Sequence, residues 1–89
     1  MAEFLFTREF LTQLAAIERS ATPEEIRALD TGLAQIVRAP ELSDRFPSHY
    51  DPDGPSYIVR REPFLIRFSV DEQSRVVFRT LFRRRVTKS

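Results

Sequence analysis

The stretch YIVRREPFLIRFSVDEQSRVVFRTLFRRR, from Tyr57 to Arg85, decides the fold of this chain. It contains three runs in which apolar residues alternate with basic or polar ones, and turn-forming residues separate the runs. Because side chains alternate between the two faces of a strand, one face of each run can be buried while the other presents arginines. The stretch therefore predicts a three-stranded antiparallel meander with an aromatic core face and an arginine face.

The apolar residues also predict the register of this meander. The expected cross-strand pairs are Val59–Ile66, Tyr57–Phe68, Val70–Val76, Phe68–Phe78 and Phe64–Phe82. A slip of one residue would bury arginines, so the alternation specifies its own register. In this register the face opposite the aromatic residues carries Arg60, Arg67, Arg79 and Arg83.

Two helices are predicted ahead of the meander, after a short apolar strand over residues 3–6. The first should run from about Arg8 to Arg19, because Thr7 can act as its N-cap and apolar residues recur at helical spacing behind it. Its polar side chains are expected to face water: Glu9, Gln13 and Glu18.

The second helix has a clear beginning and a clear end. Thr22 and Glu25 can form a capping box, and Pro23 between them favours the first helical position. Apolar residues then repeat at helical spacing up to Pro40, whose ring ends the helix. Gly32 is expected to allow close packing against the first helix, in an antiparallel helical hairpin.

Residues 41–55 form a polar, proline-rich connection in which little regular structure is expected. Leu42 and Phe46 are its expected anchors in the core. His49 and Tyr50 are its only side chains with evident acid–base or stacking chemistry. A lone histidine in an acidic loop is more often solvated than catalytic.

Together these elements predict one α+β domain over residues 1–89, in the order βααβββ, with the helical hairpin packed on one face of a mainly antiparallel sheet. The chain has no cysteine, and no apolar run approaches the roughly 20 residues that a membrane span requires. Its N-terminus carries charges where a signal peptide would be apolar. A soluble cytoplasmic protein without membrane contact is expected.

Charge is segregated along the chain. Residues 1–56 contain five arginines and ten acidic residues, a net charge of −5, whereas residues 57–89 contain nine basic and three acidic residues, a net charge of +6. One histidine, no cysteine and no glycine-rich phosphate loop argue against thiol, metal or cofactor chemistry. The available chemistry is that of guanidinium groups, for which phosphate binding, protein binding and plain solvation all stay open.

Several of these features together resemble the RelE/ParE superfamily of bacterial toxins from type II toxin–antitoxin systems. They are the order of elements, the FTREFLTQL opening, the proline after the second helix, the YIVRR and FLIRF strands and the final RRR. The resemblance implies a small α+β toxin fold and a cognate antitoxin that wraps the toxin with a C-terminal segment. A homodimer, or a heterotetramer with the antitoxin, is compatible with it. RelE-like members cleave mRNA on the ribosome, and ParE-like members inhibit DNA gyrase without being nucleases.

The functional residues of the nucleases carry over only in part. Arg60 matches a basic residue on the first strand of the meander, and Arg83 and Arg84 match a basic pair at the end of the last strand. Leu65 stands where these nucleases usually have an arginine, although Arg67 could substitute for it. The VTKS terminus lacks the tyrosine or histidine that many of them use for proton transfer.

Three hypotheses follow from the sequence. The leading one is a ParE-like toxin that binds DNA gyrase or another essential target through Arg60, Arg67, Arg79, Arg83 and Arg84. The alternative is a ribosome-dependent mRNA endonuclease whose candidate catalytic residues are Arg67, Arg84, His49 and Tyr50. The third is a non-toxic interaction domain on the same fold. Arg67 and Arg84 are expected to be exposed, so their replacement should leave thermal stability nearly unchanged.

Overall fold

The computed structural model describes residues 3–48 and 55–84 and shows two helices on one face of a five-stranded sheet. The elements are β1 (Phe4–Phe6), α1 (Arg8–Glu18), α2 (Pro23–Arg38), β2 (Phe46–Ser48), β3 (Ser56–Arg61), β4 (Phe64–Val70) and β5 (Val76–Arg83). The strand order is β1-β5-β4-β3-β2, with β1 parallel to β5 and every other pair antiparallel. The predicted α+β class and mainly antiparallel sheet are confirmed.

The strand β2 corrects the predicted order of elements, because the connection was expected to be irregular. Phe46 pairs with Ile58 and Pro47 with Tyr57, so the order becomes βααββββ. A three-residue strand that contains proline has no readable alternation, and proline is tolerated because β2 lies at the edge of the sheet. Phe46 is exposed there, so its predicted role as a core anchor is wrong, whereas Leu42 does pack against the core.

Both helix starts follow the prediction. The Thr7 hydroxyl accepts a hydrogen bond from the Phe10 amide at 3.1 Å. At the second helix, the Thr22 hydroxyl accepts from the Glu25 amide at 3.2 Å, and the Glu25 carboxylate accepts from the Thr22 amide at 2.9 Å. The capping box is therefore complete, and α2 ends at Arg38, two residues before Pro40.

The core lies between the helices and the sheet face that we call the inner face. Its buried apolar side chains are Phe10, Ile17, Leu29, Ile36, Val37, Val59, Phe64, Ile66, Phe68, Val76, Phe78 and Leu81. A Cβ atom at Gly32 would lie 2.9 Å from Arg61 Cγ and 3.5 Å from Ile66 Cδ1. Gly32 thus lets α2 approach the sheet, and the expectation that it packs against the first helix is wrong.

The register of the meander is confirmed up to a β-bulge. Val59 pairs with Ile66, Tyr57 with Phe68, Val70 with Val76, and Phe68 with Phe78. The register shifts between Phe68, which pairs with Phe78, and Arg67, which pairs with Thr80. Arg79 is the extra residue of β5 at this bulge. Phe64 is then opposite Arg83, and Phe82 is opposite Leu65, so the predicted Phe64–Phe82 pair is wrong.

The bulge reverses the alternation of the last residues of β5. One extra residue moves every following side chain to the other face of the sheet. Arg83 therefore lies on the helix side, where it forms an ion pair with Glu25 at 2.8 Å. Phe82 lies on the opposite face with 45% of its surface exposed. The predicted place of Arg83 beside the other arginines is wrong for this reason.

Thr7, the N-cap of α1, and Gln13 within that helix form hydrogen bonds with the backbone of β5 where β1 has ended. Thr7 donates its amide to the Phe78 carbonyl and its hydroxyl to the Arg79 carbonyl, both at 3.0 Å. Gln13 Oε1 accepts a hydrogen bond from the Leu81 amide at 2.7 Å. Gln13 is therefore not on the wet side of α1, contrary to the prediction.

Candidate functional site

The sheet face away from the helices, which we call the outer face, is basic and apolar. Its exposed or half-buried side chains are Leu5, Phe46, Ile58, Arg60, Leu65, Val77, Arg79 and Phe82, and its buried ones are Ser56, Arg67, Ser69 and Thr80. No acidic residue occurs in β3, β4 or β5. The face can therefore attract anionic groups and bury apolar ones.

Arg67 lies at the centre of the outer face and is only 7% exposed. Its Nε donates a hydrogen bond to the hydroxyl of Thr80 at 2.9 Å. The bulge makes this contact possible, because it turns Thr80 to the same face as Arg67. The expectation that Arg67 is exposed is wrong, and the residue contributes to the construction of the sheet.

Arg79 is held on the outer face by a second hydroxyl group. Its Nε donates to Ser69 Oγ at 2.8 Å, and the side chain is half-buried. The terminal nitrogens of Arg79 have no hydrogen-bond partner among the described residues. A guanidinium fixed at Nε presents its other donors in a defined direction, which suits bidentate contact with a carboxylate or phosphate.

Arg60 and Arg84 meet at Glu62, which lies in the turn between β3 and β4. Arg84 Nη1 lies 2.8 Å and Arg60 Nε 3.7 Å from the same carboxylate oxygen. All three side chains are about half exposed, and exposed ion pairs contribute little stability. Both arginines can therefore exchange Glu62 for an external anion at low cost.

Arg83 instead joins the end of β5 to the start of α2. Its Nη2 lies 3.0 Å and 2.8 Å from the two carboxylate oxygens of Glu25. The backbone amide of Thr22, and then the charge of Arg83, hold the pKa of Glu25 below its ordinary value. The ion pair of Arg83 therefore connects the first turn of α2 to the end of β5, on the side of the sheet opposite the outer face.

Of the five arginines predicted to form one contact surface, three share the outer face: Arg60, Arg67 and Arg79. Arg84 adjoins them through Glu62, and Arg83 lies on the other side of the sheet. His49 and Tyr50, the candidate proton-transfer residues, lie outside the described residues. The sequence did not predict that Phe82 and Phe46 lie on the outer face. No sequence pattern indicates the bulge that turns Phe82 to this face, and none indicates the strand β2 that contains Phe46.

Residues 3–48 and 55–84 contain no group of histidine, cysteine, aspartate or glutamate side chains that could hold a metal ion. No helix found there is both long enough and apolar enough to cross a bilayer. The outer face offers guanidinium groups, hydroxyl groups and apolar contact area.

Comparison of the chain with protein-family models, with curated proteins and with solved structures finds no match.

Proposed function

We propose that this protein is a toxin of a type II toxin–antitoxin system, of the RelE/ParE kind, which acts by binding its target through the outer face. The observation that carries the proposal is the combination of arginines and apolar side chains on a sheet face whose three long strands contain no acidic residue. The succession of β1, α1, α2 and the meander β3–β5 and the sequence features that resemble the superfamily support the assignment, and β2 adds an edge strand to that order. A cognate antitoxin would neutralise the protein.

The side chains of the outer face are better suited to binding than to catalysis. Arg60, Arg79 and Arg84 can supply charge, and Phe82 and Leu65 beside them can supply the apolar area from which interfaces gain affinity. Strand cleavage of RNA would need groups that accept and donate a proton, and arginine is a poor base because of its very high pKa. A ParE-like action on DNA gyrase is therefore the form of the proposal that we favour.

Expression in a bacterium under an inducible promoter tests this proposal. We expect growth arrest, inhibition of gyrase supercoiling by the purified protein, and intact ribosome-bound mRNA. Cleavage of mRNA would support the endonuclease alternative and direct attention to His49 and Tyr50. Absence of arrest would leave the non-toxic interaction domain as the function.

A double substitution, with one charge reversed and one removed, makes the test specific to the outer face. Arg60→Glu combined with Arg79→Gln should abolish both arrest and gyrase inhibition, because the face loses positive charge at two of its accessible positions. Arg8→Glu is the matched control, since Arg8 is exposed at the first turn of α1 and an acidic residue is favourable there. Equal loss of activity in both variants would contradict a role for the outer face.

A further inference from the structure

The two edges of the sheet differ in whether another strand can pair with them. The edge formed by β2 carries Pro47, which has no amide hydrogen to donate. The edge formed by β1 consists of Phe4, Leu5 and Phe6, and β1 pairs only with β5 among the described strands. One edge of the sheet is therefore blunted, and the other resembles a template for strand addition.

The direction of the backbone groups in β1 follows from two hydrogen bonds. The Glu3 carbonyl accepts from the Val76 amide at 2.9 Å, and the Thr7 amide donates to the Phe78 carbonyl at 3.0 Å. Backbone groups of alternate residues point to the same side of a strand, so those of Phe4 and Phe6 point away from β5. A partner strand would find donors and acceptors at these two residues.

An apolar groove of about 330 Å³ lies beside this edge, between the inner face and α2. Its lining includes Phe4, Phe78, Leu33, Ala34, Val37 and Arg38. Phe4 is 48% exposed and its neighbour Leu5 is 44% exposed. Exposed apolar residues beside a strand edge with which no other described strand pairs are typical of interaction sites.

We propose that the β1 edge binds an extended peptide segment of a partner protein, which adds as a strand and places a bulky apolar side chain in the groove. The segment carries an acidic residue, because Arg38 is the one charged residue among the described groove residues and forms no ion pair with any other described residue. The proposal goes beyond the function of the outer face, since the groove lies on the inner side of the sheet and uses different residues.

Selection from a displayed library of random 12-residue peptides against the full chain tests this inference. We expect enriched peptides to have apolar residues two positions apart and at least one aspartate or glutamate. The best of them is then synthesised, and its Kd is measured by fluorescence anisotropy. Enrichment of basic peptides, or of none, would overturn the proposal.

Two matched variants at position 4 separate backbone pairing from side-chain contact. Phe4→Ala and Phe4→Pro both remove the aromatic ring, but only Phe4→Pro removes the outward-pointing amide. We expect Phe4→Pro to bind the peptide about tenfold more weakly than Phe4→Ala, since one amide hydrogen bond is lost. Equal binding by the two variants would refute strand addition. A thermal melt of each variant establishes that both are folded.

A second pair tests the charge of the peptide without touching β1. Ala34 is exposed on α2 and lines the groove, so Ala34→Glu should weaken binding while Ala34→Lys should preserve or improve it. Arg60→Glu should leave the Kd unchanged, which separates this site from the outer face. Loss of binding in Arg60→Glu, or a dimer in solution that Phe4→Pro dissolves, would overturn the proposal in favour of the outer face or of a second copy of this chain.

Discussion

The inner and outer faces of the sheet arise from the same alternating strands but are held together differently. On the inner face, Phe64, Phe68 and Phe78 are fully buried against the helices. On the outer face, two arginines are held by hydroxyl groups of neighbouring strands, Arg67 by Thr80 and Arg79 by Ser69. The inner face therefore derives its stability from packing, whereas the outer face combines fixed polar contacts with exposed apolar surface.

The difference also shows how a single extra residue changes the composition of both faces. Without the bulge at Arg79, Phe82 would enter the core and Arg83 would join the outer face. With it, Arg83 pairs with Glu25 and Phe82 is exposed beside Leu65. The bulge thus replaces one charge of the outer face with an aromatic ring, which makes the face better suited to a protein partner.

The largest effect should come from truncating an aromatic residue of the inner face. Phe68→Ala should lower the free energy of unfolding by about 3–5 kcal/mol, because a fully buried ring is lost and a cavity remains. Phe82→Ala on the outer face should cost less than about 1 kcal/mol, since that ring is exposed. Urea denaturation measures both, and similar losses would mean that Phe82 belongs to the core.

Within the outer face, the buried and the exposed arginine should behave differently. Arg67→Ala should cost about 1–3 kcal/mol, because it removes buried side-chain packing and the hydrogen bond to Thr80. Arg60→Ala should stay within about 0.5 kcal/mol, as exposed substitutions usually do. Urea denaturation of the two variants compares their losses of unfolding free energy. If Arg67→Ala is as stable as Arg60→Ala, the guanidinium of Arg67 has no structural part in the sheet.

A smaller effect is expected where α2 meets the sheet. Gly32→Ala gains about 1 kcal/mol in helix propensity but places a methyl group 2.9 Å from Arg61 Cγ. Overpacking costs about 1–3 kcal/mol, so we expect a net loss of about 1 kcal/mol. In an Arg61→Ala background, where Cγ is absent, the same substitution should cost less. A cost unchanged by that background would place the strain elsewhere.

The smallest effect concerns the acidic partners of the arginines. Backbone and arginine contacts hold the pKa of Glu25 below its ordinary value, and the same is true of Asp44 beside Arg61 and of Asp71 beside Arg75. A carboxyl group with a lowered pKa in the folded state binds protons more readily when the chain unfolds. Its contribution is complete above the ordinary pKa and is lost as the pH falls through the folded value.

Urea midpoints measured between neutral and acid pH test this dependence. The midpoint should fall as the pH drops below about 4.5, and Glu25→Gln should fall less steeply because one titrating group is gone. Glu24→Gln is the control, since Glu24 lies in the same turn and makes no hydrogen bond or ion pair with another described residue. Identical pH profiles for the two variants would contradict the part assigned to Glu25.

Local signals in the sequence were sufficient for the helices and for most of the meander. The caps at Thr7 and Thr22 depend on residues three positions apart, and such contacts form within a single turn of chain. The pairs from Val59 to Phe78 follow from alternation, because a slip of one residue would turn arginines of the meander toward the aromatic core. The α+β class follows from the same two periodicities.

The sequence alone thus determined which residues form helices, how most of the meander pairs, and that one sheet face is aromatic and the other basic. Tertiary structure decided the rest: the bulge at Arg79, the side on which Arg83 lies, the contact of Gly32 with Arg61, and the strand at Phe46. These features depend on groups distant in the chain, such as Thr7 and Gln13, which satisfy the backbone of β5 beyond the end of β1. No local pattern contains that information, because the energy of a buried backbone group depends on which partner the folded chain brings to it.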